Sequence, residues 1–541
     1  MSNPFSHAVA SFDPTATSVL LWTRAPEIET LAWVVATDAG LHDVVARGHV
    51  APDRDRDHTA TVDVGDLAPA TTYFYRFDVD GQTSPIGRTR TLPDGPTDRL
   101  RLGLVTCARY SMAPLGVYRA LAEREVDLVV HLGDYIYEDD GSKGPRRHEP
   151  RHPCRTLGDY RARIGQLRRD PDAQALHLRH PMVAILDDHD VADNCWTTGA
   201  KKHVDDDDGP WDERALAAVT ARQEWLPQRL RDQRDPRTTW RSIPIGDLAE
   251  LVLLDTRLSG RDEQAGDGGD PPLDDPERSL LGAEQRAWLQ DRLADDTRPW
   301  VLVASGVVIN EVSLPLPAIP GINHFLPNGY AALDGEVLHD DQWDGYPAER
   351  SNLARHLARR GAAGGRAVLV SGDIHSSWAF EGPRLDGQPV AVEMTVPAVA
   401  SKPMGRAHMP GAWRALDALV SRLEHVPWAD VTRRGYGIID VTRDSTVMEW
   451  WFVEPTDADP CADQWLGAAW RTDRSAWPPS LTETDPTDDP ERAPLRDPLP
   501  PRPDDLDRLR RSHRRRLVLE RSALAALTVG AVVGAARVVR R

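Results

Sequence analysis

Asp127-Leu128-Val129-Val130-His131-Leu132-Gly133-Asp134-Tyr135-Ile136-Tyr137 is an apolar run that stops on a Gly-Asp turn. The run is too short for a helix. It reads as a strand buried on both faces, the signature of a parallel sheet. The turn places a carboxylate at the strand end and a phenol three residues further on. The arrangement recurs three times. Residues 100–105 run into Thr106-Cys107-Ala108-Arg109, residues 182–186 into Asp187-Asp188-His189-Asp190, and residues 367–370 into Gly372-Asp373-Ile374-His375. In open α/β sheets, active sites gather beyond the carboxyl ends of strands. Four such segments in chain order, all bearing Asp, His, Cys or Tyr, point to a site of two or three metal ions suited to cleaving phosphate esters.

Outward from these segments, strand and helix patterns alternate across residues 96–455, which predicts an α/β sandwich. Expected helices are 114–125, 157–169, 212–230, 283–294, 349–360 and 413–423. Further buried strands are 249–254 and 300–304, with a closing pair at 437–441 and 447–453. Trp288, Trp300 and Trp343 read as core. Residues 1–95 carry short alternating runs at 18–23, 31–35, 59–64 and 72–77. Leu67-Ala68-Pro69-Ala70-Thr71-Thr72-Tyr73 is the turn-then-Tyr arrangement of a fibronectin-like β-sandwich. Residues 456–505 read as a Pro/Asp-rich linker. Residues 506–541 form a basic, apolar tail.

With 65 Lys and Arg against 84 Asp and Glu, the formal net charge is −19. Non-specific nucleic-acid binding needs basic surface and is excluded. A phosphorylated small molecule is not, because bound cations reverse the local field. Cys107, Cys154, Cys195 and Cys461 form no Cys-x-x-Cys pair, so neither a disulfide framework nor a zinc knuckle is expected. Cys154, Cys195 and Cys461 read as plain free thiols. Residues 1–7 carry no basic n-region or apolar h-region, so a cytoplasmic chain is expected.

The chemistry of each candidate follows from its side chain. Asp134 can bridge two metals, with Gly133 allowing close backbone approach. The Tyr137 phenolate needs a strongly Lewis-acidic ion, above all Fe3+, and Cys107 is a thiolate candidate for the same ion. Asp187 and Asp188 cannot both stay charged in a buried site without a cation. Asp188 is the expected ligand, and His189 the phosphate-contacting or proton-donating group. Asn194 offers a neutral amide oxygen suited to Ca2+. Asp373 and His375, two apart on an extended segment, would face one cluster. Arg109 is placed to pin a phosphate oxygen. The Asp205–Asp208 run reads as a solvated loop.

These segments resemble the PhoD-like alkaline phosphatase family of the metallophosphoesterase superfamily. So do Phe5–Pro14 with Leu21-Trp22-Thr23-Arg24, Leu254-Asp255-Thr256-Arg257, Trp343-Asp344-Gly345-Tyr346-Pro347 with Arg350, and Ser371–Trp378. The resemblance implies a β-sandwich preceding a metallophosphoesterase-like α/β sandwich, hydrolysis of phosphomonoesters and phosphodiesters, and Fe3+ with Ca2+ rather than zinc. It implies that Cys107, Asp134, Tyr137 and His375 surround the iron. Asp134, Asp188, Asn194 and Asp373 would hold calcium, with Asp187 replacing or joining Asp188. The Gly-Asn-His and Gly-His-x-His forms of the wider superfamily are absent. That weighs against a purple-acid-phosphatase-like enzyme, which shares Gly-Asp-x-x-Tyr. Ligands at all four segments weigh against a non-catalytic, membrane-tethered binding module.

The expected reaction is hydrolysis of small phosphate esters by metal-activated hydroxide. The tail adds an expectation of membrane association. Seven arginines lie between Arg508 and Arg521, ahead of fifteen uncharged residues at 522–536. The apolar part is shorter than the roughly 20 residues of a spanning helix, while the arginines suit anionic lipid.

Overall fold

The protein was analysed as a computed structural model. It describes residues 3–487 apart from 233–234, 266–272, 274, 296, 313, 316–329, 334–335, 405–422 and 454–463. The helix expected at 413–423 (but for its last residue), Cys461 and the tail 506–541 lie outside the described residues.

Two large sheets face each other. In the first, Arg99–Val105, Leu128–His131 and Met182–Ala184 run parallel. In the second, Ala249–Leu253, Trp300–Ala304, Arg366–Ser371 and Val392–Thr395 run parallel. Period-2 alternation sorts their residues. Leu102, Leu104, Val130, Leu251, Leu302 and Val368 point between the sheets and form one core. Val252, Val301, Val303 and Leu369 point the other way, onto the helices Gly282–Asp295 and Pro347–Ala362. Val129 points outward onto Gly116–Ala122, Leu157–Arg168 and Trp211–Trp225. Both faces of each parallel strand are covered, which is why the strands read as unbroken apolar runs. The architecture is a four-layered α/β sandwich, and the strand ends carrying the candidate site lie on its rim. Trp300 and Trp343 are buried in it and Trp288 packs against it.

The N-terminal segment forms a β-sandwich of its own. Val9–Phe12, Val19–Arg24 and Thr59–Val64 face a sheet built on Leu31–Ala36, Val44–Val50 and Thr72–Val79. The Ala68 N–H donates to the Tyr73 hydroxyl at 2.8 Å, the corner bond that the turn-then-Tyr pattern predicts. The sandwich is fused to its neighbour. Phe12 pairs in parallel with Met182, so its first sheet continues the catalytic one. The Trp22 indole N–H donates to the Glu224 carbonyl at 2.8 Å.

Three local expectations are corrected. The helix expected at 212–230 ends at Trp225, because Pro227 disfavours a helical Leu226. An additional helix, Pro171–Arg179, starts on an Asp170 cap with Pro at its first turn. The reading of residues 456–505 as linker fails over its first half. Gln464–Asp473 is a ten-residue strand paired with Ser445–Val453, and Thr482–Glu483 adds an edge. Thr487 then donates to Glu449 at 2.7 Å. Proline and aspartate around this strand masked its own Trp-Leu and Ala-Ala-Trp content.

A chain ended at residue 455 leaves the backbone of Ser445–Val453 unpaired along an apolar edge. It should express mainly as aggregate, whereas a chain ended at 487 should melt within a few degrees of the full chain. Soluble yield and thermal melts check both.

Candidate metal centre

The rim is built from strained turns. Cys107, Asp134, Asn194, Asp373 and His375 all sit in left-handed backbone, at φ 58°, 57°, 49°, 62° and 53°. Such conformations cost a non-glycine residue of order 1–3 kcal/mol and cluster at functional sites. The segment carrying Asp373 and His375 is therefore not extended, as the sequence reading assumed. Asp373 reaches Asp134, Asp187 and Asp188 while His375 reaches Cys107 and Asp134, so the two are linked through Asp134. Gly133 has φ +95°, and a Cβ there would lie 2.3 Å from the Cβ of Asp187.

Buried polar side chains hold the turns. The Asp190 carboxylate accepts from the backbone N–H of Asp134 (3.0 Å), Tyr135 (2.9 Å), Ile136 (3.3 Å) and Asp187 (3.1 Å). It thereby fastens the turn after one strand to the turn after its neighbour. The Arg163 guanidinium holds the Tyr137 carbonyl and donates to the Asp139 carbonyl at 2.7 Å.

Three overlapping groups of potential ligands result, with donor atoms within 4.8 Å of one another. They are Cys107, Asp134 and His375; Asp134, Asp188 and His189; and Asp134, Asp187, Asp188 and Asp373. Asp134 belongs to all three. The Tyr137 hydroxyl joins the first group, 3.0 Å from His375 Nε2, and accepts from Ser401 Oγ at 2.7 Å. Asn194 enters through its backbone N–H, which donates to Asp188 Oδ2 at 2.6 Å. Three buried carboxylate oxygens, Asp134 Oδ2, Asp187 Oδ2 and Asp188 Oδ1, have no hydrogen-bond partner among the described residues.

The electrostatics call for cations. Burial, then Asp188, pushes Asp134 well above the usual carboxylate range, and burial, then Asp187, does the same to Asp373. Asp187 rises to about 7 through burial, against the opposing pull of Arg257. Burial and the adjacent Asp134 also raise the Cys107 thiol and the Tyr137 phenol. A group of acids arranged to lose no proton is reversed by a multivalent cation, which deprotonates thiol and phenol alike. The orphaned oxygens and the mixed S, N and O donor set fit bound metal ions.

The resident cation is Arg257, to which the sequence pattern alone assigns no role. It is fully buried, donates to Asp187 at 2.6 Å and Asp341 at 2.7 Å, and lies 3.5 Å from Asp188 and Asp373. Arg261 shares Asp341 at 2.8 Å. Asp190 and Glu138 stand inside or beside the quoted segments, where three acids in four positions were the available signal. Nothing near Ser401 in the sequence marks it.

Several side chains around the cluster keep contact with solvent, among them His189 at 17%, Arg109 at 18% and Asp373 at 15% exposure. His189 Nδ1 lies 2.7 Å from Glu138 Oε2, and its ring rests on Tyr137 with centroids 4.1 Å apart. Burial favours a neutral ring there, but Asp188, Glu138 and Asp134 outweigh it and hold the imidazole's pKa well above its ordinary value. Arg109 pairs with Asp139 and lies 5.0 Å over the Tyr137 ring. Asp205–Asp207 remain exposed, away from the cluster, on a short helical turn rather than a loop.

Two facing sheets with acids gathered at the ends of their parallel strands define a metallophosphoesterase-like α/β sandwich. The sequence matches the family description "PhoD-like phosphatase, N-terminal domain" over residues 1–93 and "PhoD-like phosphatase" over residues 102–450. It is 31% identical over 401 residues to alkaline phosphatase D of Bacillus subtilis (strain 168), across 70% of this chain and 65% of that protein's length. A solved structure titled "Structure of PhoD" matches with a TM-score of 0.77 at 27% identity, covering 91% of this chain and 94% of that one. The chain belongs to the PhoD-like phosphatase family.

Since Asp134 is common to every group, Asp134→Ala should lose most of the metal that copurifies, whereas Asp206→Ala should retain it. Elemental analysis of the two variants checks this. Gly133→Ala should destabilise the fold by about 1–3 kcal/mol, from positive φ and the clash with Asp187.

Proposed function

We propose that this chain is a metal-dependent phosphoesterase that hydrolyses small phosphate esters at a centre of Fe3+ and Ca2+. The observation that carries the reading is the Asp134 carboxylate, buried, common to all three candidate groups and left with an unpaired oxygen. Cys107, Asp134, Tyr137 and His375 are the residues that would hold iron. Asp134, Asp188, Asn194 and Asp373 would hold calcium, and Asp187, tied to Arg257 through one oxygen, keeps the other for an ion. Such ions supply charge neutralisation for the phosphoryl oxygens and an acidified water.

The chain's own residues supply the rest. His189 reaches solvent and is held by Glu138, so its imidazolium is oriented to give a proton to the departing oxygen. Arg109 stands on the same open side, where its guanidinium is suited to a phosphate oxygen. Arg257 and Gln342 hold Asp373 from behind, which fixes its carboxylate before substrate arrives. Burial of Asp134, Asp187 and Asp188 keeps bulk water from the reacting centre and strengthens every charge interaction there. No side chain needs to serve as a phosphorylated nucleophile.

Hydrolysis of p-nitrophenyl phosphate should vanish on chelation and return best with calcium and iron together. Asp134→Ala and Asp373→Ala should each lose activity by about 100-fold or more, since orphaning a ligand cluster removes transition-state charge stabilisation. Full activity in either contradicts the assignment. Phenolate and thiolate on ferric iron absorb visible light, so the purified protein should be coloured. Tyr137→Phe and Cys107→Ala should shift or bleach that band, whereas a colourless, active zinc enzyme would contradict it.

We further propose that residues 506–541 tether the protein to anionic membrane surface on the cytoplasmic side. The support is the Arg508–Arg521 cluster beside the uncharged stretch 522–536. Fractionation of cells at low salt should place the full chain with membranes and a chain ended at Pro503 in the supernatant. Equal solubility contradicts the tether.

A further inference from the structure

Arg168 closes the helix Leu157–Arg168 and points into the seam between the N-terminal sandwich and the catalytic layers. Its side chain is 1% exposed. The guanidinium lies 4.5 Å over the Trp22 ring. None of its three nitrogens has a hydrogen-bond partner among the described residues. Every other buried arginine among the described residues donates to a carboxylate, a carbonyl or another side-chain acceptor. Arg168 has no anionic or carbonyl acceptor among the described residues; the Trp22 face and the Tyr135 and Tyr75 phenols are what lies against it.

The groups that face it are neutral. They are the phenols of Tyr135 and Tyr75, which burial keeps protonated, that of Tyr135 up to about 12. The nearby acids are committed elsewhere: Asp170 to Arg146, Glu224 to Arg161 and Glu149 to Arg169. His7, on the sandwich side, is held neutral down to about 3 by burial first and then by Arg24, Arg169 and Arg168, so the seam is cationic. Trp225 Nε1 is also buried without a partner among the described residues, and the Tyr75 and Ser11 hydroxyls lie against each other. All three can donate.

A guanidinium cannot escape by losing its proton. An unpaired buried charge costs far more than an unpaired neutral group. Buried water would satisfy its N–H groups but would leave the charge. We propose that a small monovalent anion of the halide class, chloride in ordinary solution, is bound beside Arg168 at this seam. One positive charge with phenol donors beside it matches a spherical monovalent acceptor, whereas a phosphate dianion would leave surplus negative charge. Trp22, Tyr75 and Ser11 come from three strands of the sandwich, while Arg168 and Tyr135 come from the catalytic layers. The anion therefore joins the two, and its role is structural rather than catalytic.

Crystals of the full chain grown in bromide test this directly: an anomalous bromine peak is expected within hydrogen-bond distance of Arg168. In solution, the melting temperature should rise by about 1–3 °C when chloride replaces gluconate at equal ionic strength. Arg168→Met should lose that increment, and Tyr75→Phe should reduce it. Water alone beside Arg168 in the bromide crystals overturns the proposal, as does an equal chloride increment in Arg168→Met. Should Arg168→Met fail to fold, the bromide map of the unmodified chain and the Tyr75→Phe increment decide it.

Discussion

Mutual repulsion of buried carboxylates is the constraint on which this structure turns. Asp134, Asp187, Asp188, Asp341 and Asp373 converge at the rim of two sheets, with Arg257 and Arg261 as guanidinium counter-charges among them. Asp341 consumes both arginines and is held below the usual carboxylate range by them, against its burial. Of the remaining four acids, Asp187, Asp188 and Asp373 share Arg257, and three oxygens among the four are unpaired among the described residues. Such a site is stable as a group of anions only around multivalent cations. The strained backbone at Cys107, Asp134, Asn194, Asp373 and His375 has the same explanation. Left-handed turns bring side chains from separate strands to one point, and Asp190, Gly133 and Arg163 lock the turns.

The division of labour between layers follows. The inter-sheet core fixes the strand ends, and Arg163, on one of the outer-face helices, is a buried polar residue that holds a site loop. The N-terminal sandwich continues the first sheet through Phe12 and Met182. It packs on those same helices, so it buttresses the scaffold without lending a side chain to the candidate centre.

Much of this is legible in the sequence because parallel strands buried on both faces leave unbroken apolar runs. The chemistry sits one or two residues past each run, so Cys107, Asp134, Asp188 and Asp373 could be picked out from pattern alone. Tyr73 likewise announced its corner. What was illegible depends on contacts between distant segments. Arg257 looks like any arginine until Asp187 and Asp341 surround it. Ser401 lies 264 residues from the Tyr137 it binds. The strand Gln464–Asp473 was hidden because an edge strand needs only a partner, here Ser445–Val453, and its flanks are rich in Pro and Asp. The convergence of Asp373 and His375 was anticipated for the wrong backbone, since left-handed turns leave no period-2 mark.

In the proposed centre, Asp134 would stand between iron held by Cys107, Tyr137 and His375 and calcium held with Asp188 and Asp373. Diffraction from crystals of the protein as purified, with anomalous data above and below the iron edge and at long wavelength for calcium, tests it most directly. The account predicts an iron peak bonded to Cys107 Sγ and Tyr137 Oη, and a calcium peak sharing Asp134 with it. A zinc signal in the Cys107 position, or ions that bypass Asp134, would contradict it.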